Sequence, residues 1–91
     1  LVLIATPPAT VPEIVEQAGA RGAAAAVVLS AHLGKSEDDP IGAARRAARA
    51  HSLRLLGPDS VGIAVPERGL NATLLARTPM RGDVALVSHS G

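Results

Sequence analysis

Four short, unbroken apolar runs punctuate the chain, at residues 1–5, 23–29, 53–56 and 84–87. Continuous rather than alternating hydrophobicity predicts strands covered on both faces in a parallel sheet. Between the first three runs the apolar period lengthens to that of a helix. Val11, Ile14, Val15 and Ala18 stand at i, i+3, i+4 and i+7, a stripe that predicts a helix laid against the sheet. Thr10 and Glu13 have the spacing of a capping box, and Pro12 falls in the first turn, where an N–H has no intrahelical partner. Gly19 and Gly22 predict the end of that helix. A second helix is predicted after Ser36-Glu37-Asp38-Asp39-Pro40, with acids at its positive end and proline near its first position. Ile41, Ala44 and Ala48 line one side of it; Arg45, Arg46 and Arg49 fall on the other.

The resulting pattern is strand–helix–strand–helix–strand, two right-handed crossovers of an α/β sheet. Residues 57–83 then form a bridge punctuated by Pro58, Gly62, Pro66, Gly69, Pro79 and Gly82. It is too long for an ordinary connection and holds either a hairpin or a link between two domains. The link is the favoured reading, with 84–87 opening a new unit as a strand. The chain begins without Met, directly in a strand, and closes on Ser88-His89-Ser90-Gly91, so a piece of a longer protein is expected.

Composition narrows the classes. At 91 residues and 47% hydrophobic, the chain is one small folded unit and not a disordered one. With no Phe, Tyr or Trp and eighteen alanines, its core must be Val, Leu, Ile and Ala packed closely. No apolar run approaches the ~18 residues that span a bilayer. The absence of Cys excludes disulfides, thiolate metal sites and a cysteine nucleophile, and fits a reducing cytoplasm. A net charge of +1 gives no field to recruit nucleic acid or a membrane surface. His32, His51 and His89 have no metal-ligand spacing, and His51 reads as a cation near a helix C-terminus. Arg45, Arg46, Arg49 and Arg54, without aromatic neighbours to stack bases, read as a solvated face.

Candidate chemistry gathers where strands end, because ligands of open parallel sheets sit beyond the C-terminal strand edges. Thr6-Pro7-Pro8 leaves the first strand; its prolines remove two N–H groups and present carbonyls and a flat apolar wall. Ser30-Ala31-His32 leaves the second with small side chains, and Gly57-Pro58-Asp59-Ser60-Val61-Gly62 leaves the third as a rigid turn. These exits suit a nucleotide-like ligand, and they equally suit ordinary strand-to-helix turns. Ser88-His89-Ser90-Gly91 after an apolar run is a pattern that opens a helix and receives an anion; a plain serine N-cap is the alternative. No Gly-x-Ser-x-Gly elbow surrounds Ser88, and the chain has neither a P-loop nor Gly-x-Gly-x-x-Gly.

Five motifs in order resemble one family across essentially the whole chain. They are the stretch 3–12, Leu-Ile-Ala-Thr-Pro-Pro-Ala-Thr-Val-Pro; Arg21-Gly22 leading into 26–31; 55–62, Leu-Leu-Gly-Pro-Asp-Ser-Val-Gly; Gly69-Leu70-Asn71-Ala72-Thr73; and 84–91. The chain is similar to the NDP-forming acyl-CoA synthetases, the family of ADP-forming acetate–CoA ligases and succinyl-CoA synthetase alpha subunits. That family includes forms fused to a GNAT acetyltransferase. The resemblance implies the C-terminal half of a Rossmann-like CoA-binding domain over 1–78. It further implies the first strand of a flavodoxin-like ligase domain, the succinyl-CoA synthetase-like unit, over 79–91.

The resemblance also implies a site. Thr6, Pro7 and Pro8 would wall CoA, Leu29, Ser30 and Ala31 would edge it, and Gly57, Pro58 and Asp59 would close the rim. Ser88, His89, Ser90 and Gly91 would form a phosphate-binding turn. No residue here inherits a catalytic or metal-binding role, because the family's phosphorylated histidine and its ATP/ADP and Mg sites lie elsewhere. The implied reaction of the parent is acid + CoA + ATP = acyl-CoA + ADP + phosphate. Its implied partners are a small carboxylic acid and an ATP-grasp domain or subunit, in a homo- or hetero-oligomer. The alternative is an acyl-CoA-sensing regulatory domain of a GNAT-type protein-lysine acetyltransferase; a plain NAD-type Rossmann protein fits least. Two residues depart from the family pattern: Asp59 stands where Asn is usual, unless it turns inward as an Asx cap, and His89 stands where Gln is common. The glycine-rich first turn that receives the CoA phosphates in the family lies outside the sequence.

Overall fold

The computed structural model describes residues 1–31 and 39–87. Three strands, β1 (Val2–Ile4), β2 (Ala25–Val28) and β3 (Arg54–Leu56), lie parallel in the order β1-β2-β3. Ile4 pairs with Val28, and Val27 with Leu56. The crossovers are α1 (Val11–Ala20) and, between β2 and β3, α2 (Pro40–Ala50). The α/β architecture is the one the apolar runs predict.

Both crossovers step the same way across the sheet, so a right-handed path puts both helices on one face. Ile4, Ala26 and Val28 point to that face and join Val11, Val15, Ala18, Ile41, Ala44, Ala48 and Leu53 in one buried cluster. Leu3 and Leu56 alternate to the other face and remain 46% and 49% exposed. Coverage on both faces, expected from continuous hydrophobicity, is therefore realised at β2 alone, where Val27 is also buried and the segment 62–65 lies alongside.

Both helices end in the same way. After α1, Ala23 N–H donates to Ala18 O and Gly22 N–H to Gly19 O, with Gly22 at φ +80. After α2, Leu53 N–H donates to Ala48 O and Ser52 N–H to Arg49 O, with Ser52 at φ +53. Each is a Schellman ending, which satisfies last-turn carbonyls and turns the chain back toward the sheet. Gly22 thus ends α1 as expected, whereas Gly19 does not: it is buried within the helix. A Cβ on Gly19 would stand 2.6 Å from His51 Cβ, so the missing side chain lets α1 and α2 approach. His51 Nε2 lies 2.7 Å from Glu16 Oε1 across the same junction.

The start of α1 differs from the capping box. A 3-10 turn, Pro8–Thr10, runs straight into the helix, leaving Thr10 with helical φ −89 and ψ −14. An N-cap hydroxyl needs an extended backbone to reach forward, so Thr10 Oγ1 turns back to Pro7 O at 2.8 Å. For α2 the cap is Asp39, whose Oδ1 accepts from Gly42 N–H at 3.1 Å; Ser36, Glu37 and Asp38 lie outside the described residues.

The bridge after β3 is not a bare link. It holds an antiparallel hairpin, β4 (Gly62–Val65) with β5 (Leu70–Thr73), joined by a 3-10 turn at Pro66–Arg68 and Gly69 at φ +65. Residues 84–87, expected as a strand, are not one: Val84, Leu86 and Val87 are at least 90% exposed. An apolar run becomes a strand only by laddering to a neighbour, and none of the described residues pairs with it.

Candidate functional site

A parallel sheet sends all its strand exits to one edge, and this one does so three times. Leu29 N–H donates to Ile4 O at 2.8 Å, which carries the ladder between β1 and β2 one step past the strands. Beyond it, Ser30 Oγ donates to Thr6 O at 2.6 Å, tying the first exit to the second. Asp59 N–H donates to Ser30 O at 3.1 Å, and Ser60 N–H to Val28 O at 3.4 Å, tying the third exit to the second. Thr6, Ser30 and Asp59 therefore stand together on one hydrogen-bonded rim, although 24 residues separate the first two. Among the described residues this rim is open and bounds no enclosed cavity.

Each exit has its own local cause. Pro7 is extended at ψ 143, and Pro8 begins the 3-10 turn, so the two prolines set the chain's departure from β1. The expected free carbonyls are spent: Pro7 O accepts from Thr10 N–H at 3.0 Å and from its hydroxyl, and Pro8 O accepts from Val11 N–H. What Pro7 leaves at the rim is an exposed apolar ring. At the second exit, Leu29 and Ser30 are half-buried and Ala31 is exposed, so small groups flank the edge. At the third, Gly57 takes φ +102 and a Cβ there would overlap the Val28 carbonyl oxygen. Only glycine lets the chain pass this close.

Asp59 does not form the inward Asx cap. It is exposed at φ +57, and its carboxylate makes no hydrogen bond among the described residues. The clasp is Ser60, whose Oγ accepts from Gly62 N–H at 3.1 Å. The sequence leaves an inward Asx cap at Asp59 open; the Ser60-Val61-Gly62 spacing carries a serine turn instead.

Ser88, His89, Ser90 and Gly91 lie outside the described residues, as does His32. His51 sits at the junction of α1 and α2 and not on the rim. Arg45, Arg46, Arg49 and Arg54 are all exposed; Arg54 opens β3 at the sheet edge opposite the exits. No helix of the described residues is long and apolar enough to cross a membrane.

Comparison with known proteins adds three findings. Residues 1–66 match the family model of the CoA binding domain. The whole chain aligns with the ADP-forming acetate–CoA ligase of Methanocaldococcus jannaschii at 29% identity, covering 13% of that protein. It also aligns at 32% with ADP-forming acetate–CoA ligase I of Archaeoglobus fulgidus, covering 14%, and at 28% with the alpha subunit of the Pyrococcus furiosus enzyme I, covering 20%. The chain thus spans a fifth or less of each of these relatives. No solved structure matches it.

Proposed function

The chain belongs to the CoA-binding domain family, of the type found in NDP-forming acyl-CoA synthetases, and we propose that CoA lies along the rim of strand exits. The observation that carries this reading is the stitching of Thr6, Ser30 and Asp59 into one edge of a parallel sheet. Ligands of such sheets lie across their C-terminal strand ends. The side chains there fit an elongated cofactor: Pro7 gives an apolar wall, Ala31 leaves room, and Ser30 supplies a half-buried polar atom. Thr6, Pro8, Leu29, Gly57 and Pro58 hold these three in place, and Asp59 closes the far end. When bound, CoA supplies the thiol that becomes a thioester.

We assign the chain to an acid–CoA ligase that forms ADP, because the relatives it matches along its whole length carry that name. In this reading the chain holds the acceptor thiol's carrier, while a small carboxylic acid, ATP/ADP with Mg, and an ATP-grasp domain or subunit meet it in the parent protein. Ser88, His89, Ser90 and Gly91 are assigned to the phosphate side of that reaction from their sequence. The chain by itself binds and does not turn over, and the setting is cytoplasmic.

Titration calorimetry of the full chain tests the binding step. Saturable association of one CoA per chain is expected, with acetyl-CoA competing for the same site and ATP alone giving no saturation. Saturation by ATP with none by CoA would reject the proposal.

A further inference from the structure

Beyond the hairpin the chain doubles back through a relay of side-chain hydrogen bonds. Asn71 and Thr73 stand two apart in β5 and therefore share a face. Thr73 Oγ1 uses both of its hydrogen-bonding functions there: it accepts from Leu75 N–H at 3.2 Å and donates to Asn71 Oδ1 at 2.7 Å. With its carbonyl taken, the Asn71 amide donates from Nδ2 to Thr78 Oγ1 at 3.2 Å. Further along, the Arg81 guanidinium reaches Glu67 O at 3.4 Å. The partners fall from 71 to 67 as the segment climbs from 78 to 81, so this stretch returns along β5 toward the hairpin tip. Pro79, between the two tethers, is half-buried, whereas the other residues of 74–87 are exposed.

The reversal starts at the end of the hairpin that adjoins the strand exits. Leu74 N–H donates to Val61 O at 2.8 Å, and Val61 follows Ser60, which is bonded to β2 at Val28 O. A chain leaving Leu74 without tethers would hang beside the third exit; with them it is led away to the tip. We infer that Asn71 is a positioning residue, the buckle of a strap that holds 78–81 against β5 and keeps 82–87 clear of the strand-exit rim. The strap matters because what it restrains is apolar. Met80, Val84, Leu86 and Val87 are each at least 90% exposed, and once released they would gain by covering the apolar Pro7 ring.

Two measurements on the full chain test the strap. Trypsin cleaves after arginine, and its rate at a bond that opens locally follows the open population. Asn71→Leu is expected to speed cleavage after Arg77 about fivefold, as the hydrogen bond to Thr78 is lost. Asn71→Asp, whose carboxylate can accept from both threonine hydroxyls, is expected to stay within about twofold of wild type. Thr78→Val should repeat the rise of about fivefold, read after Arg81, where the flanking residues are unaltered. Cleavage after Arg68, at the hairpin tip, should hold in all three variants because the β4–β5 ladder is untouched. The chain has no Cys, so a spin label at Val84→Cys is unique; Asn71→Leu should raise its broadening of the Thr6 and Ala31 amides about fivefold. Unchanged cleavage after Arg77 in Asn71→Leu, an equal rise after Arg68, a full loss of protection in Asn71→Asp, or unaltered broadening at the rim would each overturn the inference. None of these readouts involves CoA, so the functional reading of the rim is judged separately.

Discussion

Gly57→Ala is expected to destabilise the fold by at least about 3 kcal/mol and to abolish CoA binding at the rim. Two costs act together at this position. A side chain at φ +102 is strained, at about 1–3 kcal/mol, and its Cβ would overlap the Val28 carbonyl oxygen. Neither can relax cheaply, because Val28 lies in the centre of the sheet and its carbonyl also accepts from Ser60 N–H. Gly22→Ala separates the two effects: its φ is +80, but nothing lies within 4 Å of the new methyl group. That variant should cost only about 1–2 kcal/mol and leave the rim unaltered. Thermal melting distinguishes them, since each 1 kcal/mol moves the midpoint by roughly 4–8 °C in a domain of this size. Equal melting temperatures for the two variants would show that Gly57 is not wedged against β2.

Ile4→Ala is the second large effect, expected at about 2–5 kcal/mol. Ile4 is 1% exposed and is one of the largest fully buried side chains. With no aromatic ring in the core, its loss leaves a cavity that the surrounding alanines are too short to fill. Domains of this size have about 5–14 kcal/mol of stability in total, so the variant would sit near the folding threshold. Leu3→Ala, one residue away, removes a similar volume from a side chain 46% exposed on the opposite face and should cost less than about 1 kcal/mol. Chemical denaturation of the pair tests which face of the sheet carries the core. A larger loss at Leu3 would contradict the placement of both helices.

The main frame of the fold was legible in the sequence for physical reasons. Ile41, Ala44 and Ala48 are buried because their spacing leaves them no other face of α2 to occupy, and Val11, Val15 and Ala18 follow the same rule in α1. The three parallel strands followed from short apolar runs separated by helical periods. What the sequence hid depends on partners distant along the chain. The hairpin of β4 and β5 stood only as the alternative to a link between domains, because its strands are four residues each. Its turn, Pro66-Glu67-Arg68-Gly69, nevertheless carries the short glycine-ended signature of a hairpin connection. Residues 84–87 looked like a strand because local hydrophobicity says nothing about the presence of a ladder partner. Thr10 looked like a cap because its spacing to Glu13 was right, but the preceding 3-10 turn changed its backbone angles.

The site was half legible. Pro7, Pro8, Gly57 and Pro58 announced rigid exits, and the parallel sheet required those exits to share an edge. The cross-links were not legible: nothing local tells that Ser30 reaches Thr6 and not solvent, or that Ser60 and not Asp59 clasps the third turn. Those bonds turn three loops into one surface.

The most direct measurement is residue-resolved chemical-shift mapping of the full chain as CoA is added. Perturbations are expected to cluster at Thr6, Ala31 and Asp59 and their neighbours, while Arg21 and Arg54 at the opposite edge of the sheet stay unmoved. Shifts centred on those arginines, or spread along α2, would contradict the assignment of CoA to the strand exits.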